Sequence, residues 1–319
     1  MHAPAREGIS LAEGADDDYI RIQNEMNKYL GPNDIKQIMN TKNNGDISIV
    51  YLNIGSLPKH IDELQNFLSS ANCYPSIIAL AETKITDTVN SDFHPHLENY
   101  EYFNVPSSIY CGGVGVFIKS GVNYERRLDL EMWQSKMWET LWLEVDFNKT
   151  KNFIGVVYRH NGEADIPFFS RTLEKKLRKI TNTRNKNAKF YIVGDFNINV
   201  NKINETQNIS DFIDMMYSYN AIMLVNKPTW FPIGNRDAAP SIIDHFYTND
   251  PDSVKTFGIV ASDIPPDHIG LIAIIENNTT KKIEKTRHIF IRDYIKTDNH
   301  PFRESLYPLY PKIPVPPKN

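Results

Sequence analysis

Ile192-Val193-Gly194-Asp195-Phe196-Asn197 is an apolar run that stops at a glycine and then presents a carboxylate and a carboxamide two residues apart. Extended back to Phe190, it has the composition of a buried strand. If that strand continues, its period of two puts Asp195 and Asn197 on the same side. A strand ending in Gly-Asp is also a common turn, so the stretch gains meaning only from its neighbours. Two further apolar runs end alike, Ile47 to Leu52 at Asn53 and Ile77 to Ala81 at Glu82. Strands that deliver polar groups at their C-terminal ends are how sheet proteins build sites beyond the strand edge. Taken singly, Asn53 or Glu82 reads equally well as a cap or turn residue.

Working outward, strand patterns also cover Val114 to Lys119, Leu141 to Phe147, Phe153 to Tyr158, Ile242 to Thr248 and Ile269 to Ile275. Eight such segments predict two sheets. Between them Ile61, Leu64, Phe67 and Leu68 share one helical face, as do Phe169, Leu173, Leu177 and Ile180. This divides the chain into a polar N-terminal extension, residues 1–44, a folded body, residues 45–277, and a basic, then proline-rich tail, residues 278–319.

The 319 residues are 41% apolar and 23% charged, the balance of a globular enzyme rather than a disordered or membrane chain. Two cysteines form no disulfide framework or zinc cluster, the first residues lack an apolar signal core, and no apolar run is long enough to span a bilayer. A nuclear or cytosolic protein with no membrane partner is expected. The net charge of −4 counts against a general nucleic-acid binder. A local basic stretch, Arg171, Lys175, Lys176, Arg178, Lys179, Arg184, Lys186 and Lys189, opposed only by Glu174, reads either as a phosphate-contact surface or as a solvated face.

The third chemical element is Asp267-His268, directly before a predicted strand, with Asp244 in Ile242-Ile243-Asp244-His245-Phe246 as a second carboxylate. A carboxylate that holds one imidazole nitrogen fixes the tautomer and leaves the other nitrogen as an acid, a base or a donor to phosphate.

In order, Asn53, Glu82, Tyr158 in Val156-Val157-Tyr158-Arg159, Gly194-Asp195-Phe196-Asn197, Ser241-Ile242-Ile243-Asp244-His245 and Asp267-His268 resemble the motifs of the endonuclease/exonuclease/phosphatase superfamily. Leu52-Asn53-Ile54-Gly55-Ser56-Leu57 and Ala81-Glu82-Thr83 are similar to the endonuclease domains of non-LTR retrotransposons, which are AP-endonuclease-like. The resemblance implies a four-layer α/β sandwich, two packed mixed β-sheets flanked by helices. It implies a magnesium-dependent endonuclease, with manganese as a substitute, that acts as a monomer on double-stranded DNA and leaves 3′-hydroxyl and 5′-phosphate ends. By motif, Glu82 is the main metal ligand with Asn53 and Asp267. Asp195 orients or deprotonates water, Asn197 and Tyr158 bind the scissile phosphate, and His268, oriented by Asp244, donates to a phosphate oxygen.

Two departures stand out. Pro266 precedes Asp267-His268 where a serine is usual, in a stretch, Ser262 to His268, that looks one residue long. Gly55 stands where a basic residue is usual. In that stretch Asp267 is expected to serve beside His268 rather than Asp263. The same fold also admits a phosphoesterase for inositol phosphates or lipid headgroups, although the aspartate-arginine pair expected behind Trp230 is replaced by Phe231-Pro232. A catalytically inactive nucleic-acid-binding remnant is the other alternative, and it is disfavoured because the expected site residues are all present. No Tyr-x-Asp-Asp motif occurs, so the reverse transcriptase module that such endonucleases accompany is absent from this sequence.

Overall fold

The computed structural model describes residues 27–277, apart from 87, 89–91, 108–110, 148–149, 183–186, 234–238, 262–263 and 266. Its first sheet contains β1 (Tyr29–Leu30), β2 (Ile47–Asn53), β3 (Ile77–Ala81), β4 (Tyr100–Val105), β5 (Val114–Lys119), β13 (Val254–Val260) and β14 (Gly270–Ile275), in the order β1-β13-β14-β2-β3-β5-β4. The second contains β6 (Tyr124–Arg126), β7 (Trp133–Gln134), β8 (Trp138–Phe147), β9 (Thr150–Arg159), β10 (Lys189–Asp195), β11 (Ile222–Met223) and β12 (Asp244–Thr248), in the order β11-β12-β10-β9-β8-β6, with β7 added to β8. Both sheets mix parallel and antiparallel pairs. All eight predicted strands are present.

Strand alternation decides which side chains face the partner sheet. Val50 and Leu52 of β2, with Ile78 and Leu80 of β3, join an apolar cluster with Ile35 of α1 (Pro32–Asn40) and Leu57, Leu64 and Leu68 of α2 (Leu57–Ser70). Ile49, Tyr51 and Asn53 alternate to the opposite face, towards β10 of the second sheet. Beyond that sheet, Phe169 of α3 (Ile166–Ile180) and Phe212 of α4 (Gln207–Ser218) pack with Phe196 and Tyr247. The layers are therefore helix, sheet, sheet, helix, as the resemblance implies.

Several elements were not legible as strands or helices. β1, β6, β7 and β11 span only two or three residues, and β4 and β13 are interrupted by charged or polar residues at exposed or partly exposed positions. The folded unit begins at Asn27, ahead of the boundary expected at 45, because Tyr29 and Leu30 pair in parallel with Ile259 and Val260 and Ile35 sits in the apolar cluster. Among the described residues no helix is long and apolar enough to cross a membrane.

The basic stretch divides. Arg184 and Lys186 lie outside the described residues. On α3, Arg178 pairs with Glu174, Lys179 with Asp129, and Lys176 Nζ donates to the Asp129 carbonyl at 3.0 Å. Since β9 runs towards Arg159 and α3 returns to the start of β10, the lysines in its last turns lie at the end of the layer opposite Asp195. This favours the solvated-face reading.

Candidate active site

β2 and β3 run parallel, with Asn53 paired to Ala81, and so both end at one edge of the first sheet. β9 and β10 run parallel in the second, with Tyr158 paired to Asp195, which pairs in turn with Asp244 at the start of β12. The sheets pack so that these ends meet. Asn53 bridges them: its amide nitrogen lies 3.3 Å from Glu82 Oε1, 3.2 Å from Asp195 Oδ2 and 3.5 Å from His268 Nε2. Its oxygen accepts from the Gly55 N–H at 3.1 Å, which fixes the orientation of the carboxamide, because a backbone N–H can only donate.

Asp195 is 1% exposed and accepts from the Asn197 N–H at 2.9 Å. Burial raises its proton affinity well above that of an ordinary carboxylate, and the Asp244 and Glu82 charges add to this, while His268 and the Asn197 N–H oppose it. Behind it, Asp244 is fully buried, accepts from the Tyr51 hydroxyl at 2.7 Å and receives His268 Nδ1–H at 3.1 Å. Burial works against the charged form of His268, but the Asp244 charge and hydrogen bond, with Asp195 and Asp267 beyond them, outweigh it and push its pKa up to about 10. At neutral pH this is an imidazolium whose Nε2–H points into the cluster. Tyr158, 5% exposed, has its pKa raised by burial and by Glu82 and Asp195, so its hydroxyl stays protonated.

Backbone geometry supports the cluster. Gly194 is required because a Cβ there would stand 1.9 Å from the Val157 carbonyl oxygen on β9. Glu82 and Asn197 have φ of 52° and 48°, a left-handed conformation that costs a non-glycine residue roughly 1–3 kcal/mol and tends to concentrate at functional sites. The loop after Glu82 is held by Thr83 and Lys84 N–H groups donating to Gly113 and Gly112 carbonyls, and Lys84 Nζ lies 3.6 Å from Glu82 Oε2.

Among the described residues, Glu82, Asp195 and His268 form one group whose ligand atoms lie within 4.8 Å of one another. Two carboxylates with a third, Asp244, behind them fit a hard divalent cation that prefers oxygen donors. The imidazolium of His268 does not, since a protonated imidazole has no lone pair to donate. Of the three expected ligands, Glu82 lies in this group, Asn53 turns its nitrogen towards it, and Asp267 stays outside it with its carbonyl accepting from the Phe231 N–H at 2.8 Å. Asn197 also differs from expectation. The strand stops at Asp195, so the period of two does not carry over, and the Asn197 amide instead donates to the Arg159 carbonyl at 2.7 Å. Asp263 and Pro266 lie outside the described residues.

Sequence reading overlooked Tyr51 and Arg159. Tyr51 is two residues before Asn53 on β2, so period two alone places both on the sheet face that meets Asp195 and Asp244. Arg159 is fully buried and donates to the carbonyls of Phe196, Gly162 and Asn197 at 2.7–2.8 Å, clamping the turn behind Asp195. Its only sequence signal was its place after Tyr158.

No family model matches the sequence, and no curated protein does. Solved structures do. The AP endonuclease LMAP from Leishmania major is similar at a TM-score of 0.60 and 13% identity, over 84% of this chain and 99% of that one. The 3′ phosphatase NExo from Neisseria, bound to a product DNA hairpin, is similar at 0.54 and 19% identity, over 72% of this chain and 99% of that one. An endonuclease/exonuclease/phosphatase family protein from Leptotrichia buccalis gives 0.50 and 14% identity, over 72% and 99%. With two mixed sheets packed between helices and a polar cluster where their strand ends meet, the chain has the fold of the endonuclease/exonuclease/phosphatase superfamily.

Proposed function

We propose that the protein is a divalent-metal-dependent endonuclease that hydrolyses phosphodiester bonds of double-stranded DNA. The observation that carries this reading is the convergence of Glu82, Asn53, Asp195 and His268 at the joined ends of the two sheets. The similar structures include AP endonucleases and a phosphatase bound to DNA, which supports nucleic acid as the substrate. Magnesium, or manganese in its place, would be held by Glu82 with Asp195 alongside. When bound it would polarise the phosphate and offset charge as the leaving oxygen departs.

The chain's own residues supply the rest. Asp195, held in a fixed orientation by the Asn197 N–H and the Asn53 amide, accepts a proton from water as that water's oxygen bonds to phosphorus. The P–O3′ bond breaks and the 3′ oxygen takes a proton from solvent. His268 donates from Nε2 to a non-bridging oxygen as charge grows there, and Tyr158 supplies a second donor. A preorganised donor of this kind contributes about 3 kcal/mol to the transition state. Asp244 and Tyr51 hold the imidazolium in place, while Asn53 ties Glu82 to Asp195 and orders both carboxylates. The products are a 3′-hydroxyl and a 5′-phosphate. The motifs around Asn53, Glu82 and Asp244 support a finer reading, the target-nicking domain of a non-LTR retrotransposon, where a 3′-hydroxyl would prime synthesis.

Supercoiled plasmid is expected to relax by single nicks in Mg²⁺ or Mn²⁺ and to remain intact in EDTA. A polymerase should extend the nick without prior phosphatase treatment. An intact plasmid in both metals sinks the nuclease reading, and a nick that needs phosphatase first sinks the assigned direction of bond cleavage.

A further inference from the structure

Trp133 is the largest of the exposed apolar side chains, with 52% of its surface in water, whereas Trp138 and Trp142 on the adjoining strand are buried. A single exposed apolar residue needs no function. Two observations set this one apart. The first is register: Trp133 pairs with Glu139, Glu139 with Tyr158, Tyr158 with Asp195 and Asp195 with Asp244, so one row across the second sheet runs from the exposed indole to the site. Directly paired residues share a face. The second is preorganisation. The indole N–H donates to the Pro106 carbonyl at 3.2 Å, and Pro106 follows β4 at the site end of the first sheet, so the ring is pinned between the two sheets at the rim of the same edge.

Electrostatics sharpen the point. The chain carries a net charge of −4, and Lys176, Arg178 and Lys179 of α3 are engaged with Asp129 and Glu174. Attraction of a polyanion by excess positive charge is therefore weak. Stacking and apolar contact with sugar and base are a source of affinity that needs no net charge.

We propose that Trp133 is a DNA-contacting residue whose exposed ring packs on the deoxyribose and base of the duplex at a fixed distance from the cleaved bond. Three inter-strand steps of roughly 4.8 Å separate it from Asp195, a span of about 14 Å. With the duplex axis running along this row, as the proposal requires, ~3.4 Å per base-pair step puts the contact about four base pairs from the scissile phosphate. The inference rests on the nuclease reading for its substrate, and its test separates the two.

Binding is measured with the full chain carrying Asp195→Asn, so that the duplex stays intact, and KM is measured with Asp195 present, for Trp133, Trp133→Ala and Trp133→Phe. On a duplex extending well beyond the nick on both sides, Trp133→Ala should weaken binding and raise KM by about tenfold, while Trp133→Phe stays within about threefold of the parent, the range expected for loss and retention of an aromatic contact. When the duplex is cut back to fewer than about four base pairs on the Trp133 side, the three proteins should become equal. Equal affinities on the long duplex overturn the inference, as does an alanine deficit that persists on the short duplex in a variant that retains its circular dichroism and melting temperature. A protein that binds DNA in a Trp133-dependent way but nicks nothing keeps this contact and loses the nuclease reading. One that neither binds nor nicks loses both.

Discussion

Asp244 shows how single residues set the chemistry here. Its carboxylate is buried, and Tyr51 and His268 both bond to it. Removing the Tyr51 hydroxyl leaves Asp244 with one donor fewer in a dry site, and an unmet buried acceptor costs about 1–3 kcal/mol. Tyr51→Phe is therefore expected to destabilise the fold by that amount in urea melts and to lower nicking by about tenfold through a less firmly held His268. Undiminished nicking in the folded variant would detach Tyr51 from the site. His245, the next residue, points the other way, stacked on Phe196 with ring centroids 4.8 Å apart. Burial pushes its pKa down to about 4. Between pH 6.5 and 4 the unfolded chain binds this proton and the folded chain does not, so stability should fall as the pH drops through that window, by on the order of 3 kcal/mol in all. His245→Gln, compared by urea midpoint at pH 7 and pH 4.5, should show a smaller acid loss; an equal loss would assign the acid sensitivity to other groups.

At the scale of elements, the site depends on where strands stop. β10 ends at Asp195, and Arg159, at the end of β9, bonds the carbonyls of the next turn. A lysine cannot reproduce that planar fork of donors. Arg159→Lys is expected to destabilise the protein by roughly 2–3 kcal/mol, since bonds to a charged donor contribute about 1.5–3 kcal/mol apiece and part of the set survives. Nicking should drop with it even under conditions where the variant remains folded. Gly194→Ala is harsher, because the new Cβ would collide with the Val157 carbonyl on the paired strand. It should separate β9 from β10 and yield little folded protein, and a normally stable Gly194→Ala would show that this pairing is looser than described.

At the scale of the whole molecule, the proposed function asks a chain of net charge −4 to bind a polyanion with little overall attraction for it. Because Lys176, Arg178 and Lys179 are engaged with Asp129 and Glu174 and the last turns of α3 lie away from Asp195, replacing Lys176 and Lys179 by Gln should leave the salt dependence of DNA binding unchanged. A slope reduced by about one unit per lysine would restore that helix as a phosphate-contact surface. The N-terminal segment belongs to the same unit. Asn27 donates to the Leu224 carbonyl, Tyr29 donates to the Pro228 carbonyl, and the Tyr29 and Phe231 rings meet edge to face beside the loop that leads to Trp230. Trp230 bridges to His268, so a chain starting at residue 45 should melt lower and nick less than one starting at residue 27.

The sequence by itself determined eight strongly apolar strands, the two helical faces of α2 and α3, and the polar residues at strand ends. Those properties are local: a period of two or 3.6 and a break in apolarity are written within a few consecutive residues. Asn53, Glu82 and Asp195 stood out in this way at strand ends, and the motif resemblance joined them to Asp244 and His268 as one candidate site. Only the tertiary structure decided which of them touch. It turned the Asn53 amide inward, because the Gly55 N–H claims its oxygen. It left Asp267 out of the group that Glu82 and Asp195 form with His268, and it ended β10 before Asn197 could share the face of Asp195. It also supplied Tyr51 and Arg159, and it brought Asp129, some fifty residues distant in the chain, against Lys176 and Lys179 of the basic helix. Those outcomes depend on hydrogen bonds and ion pairs between segments far apart in sequence, and the packing of two sheets, rather than any local pattern, chooses the partners.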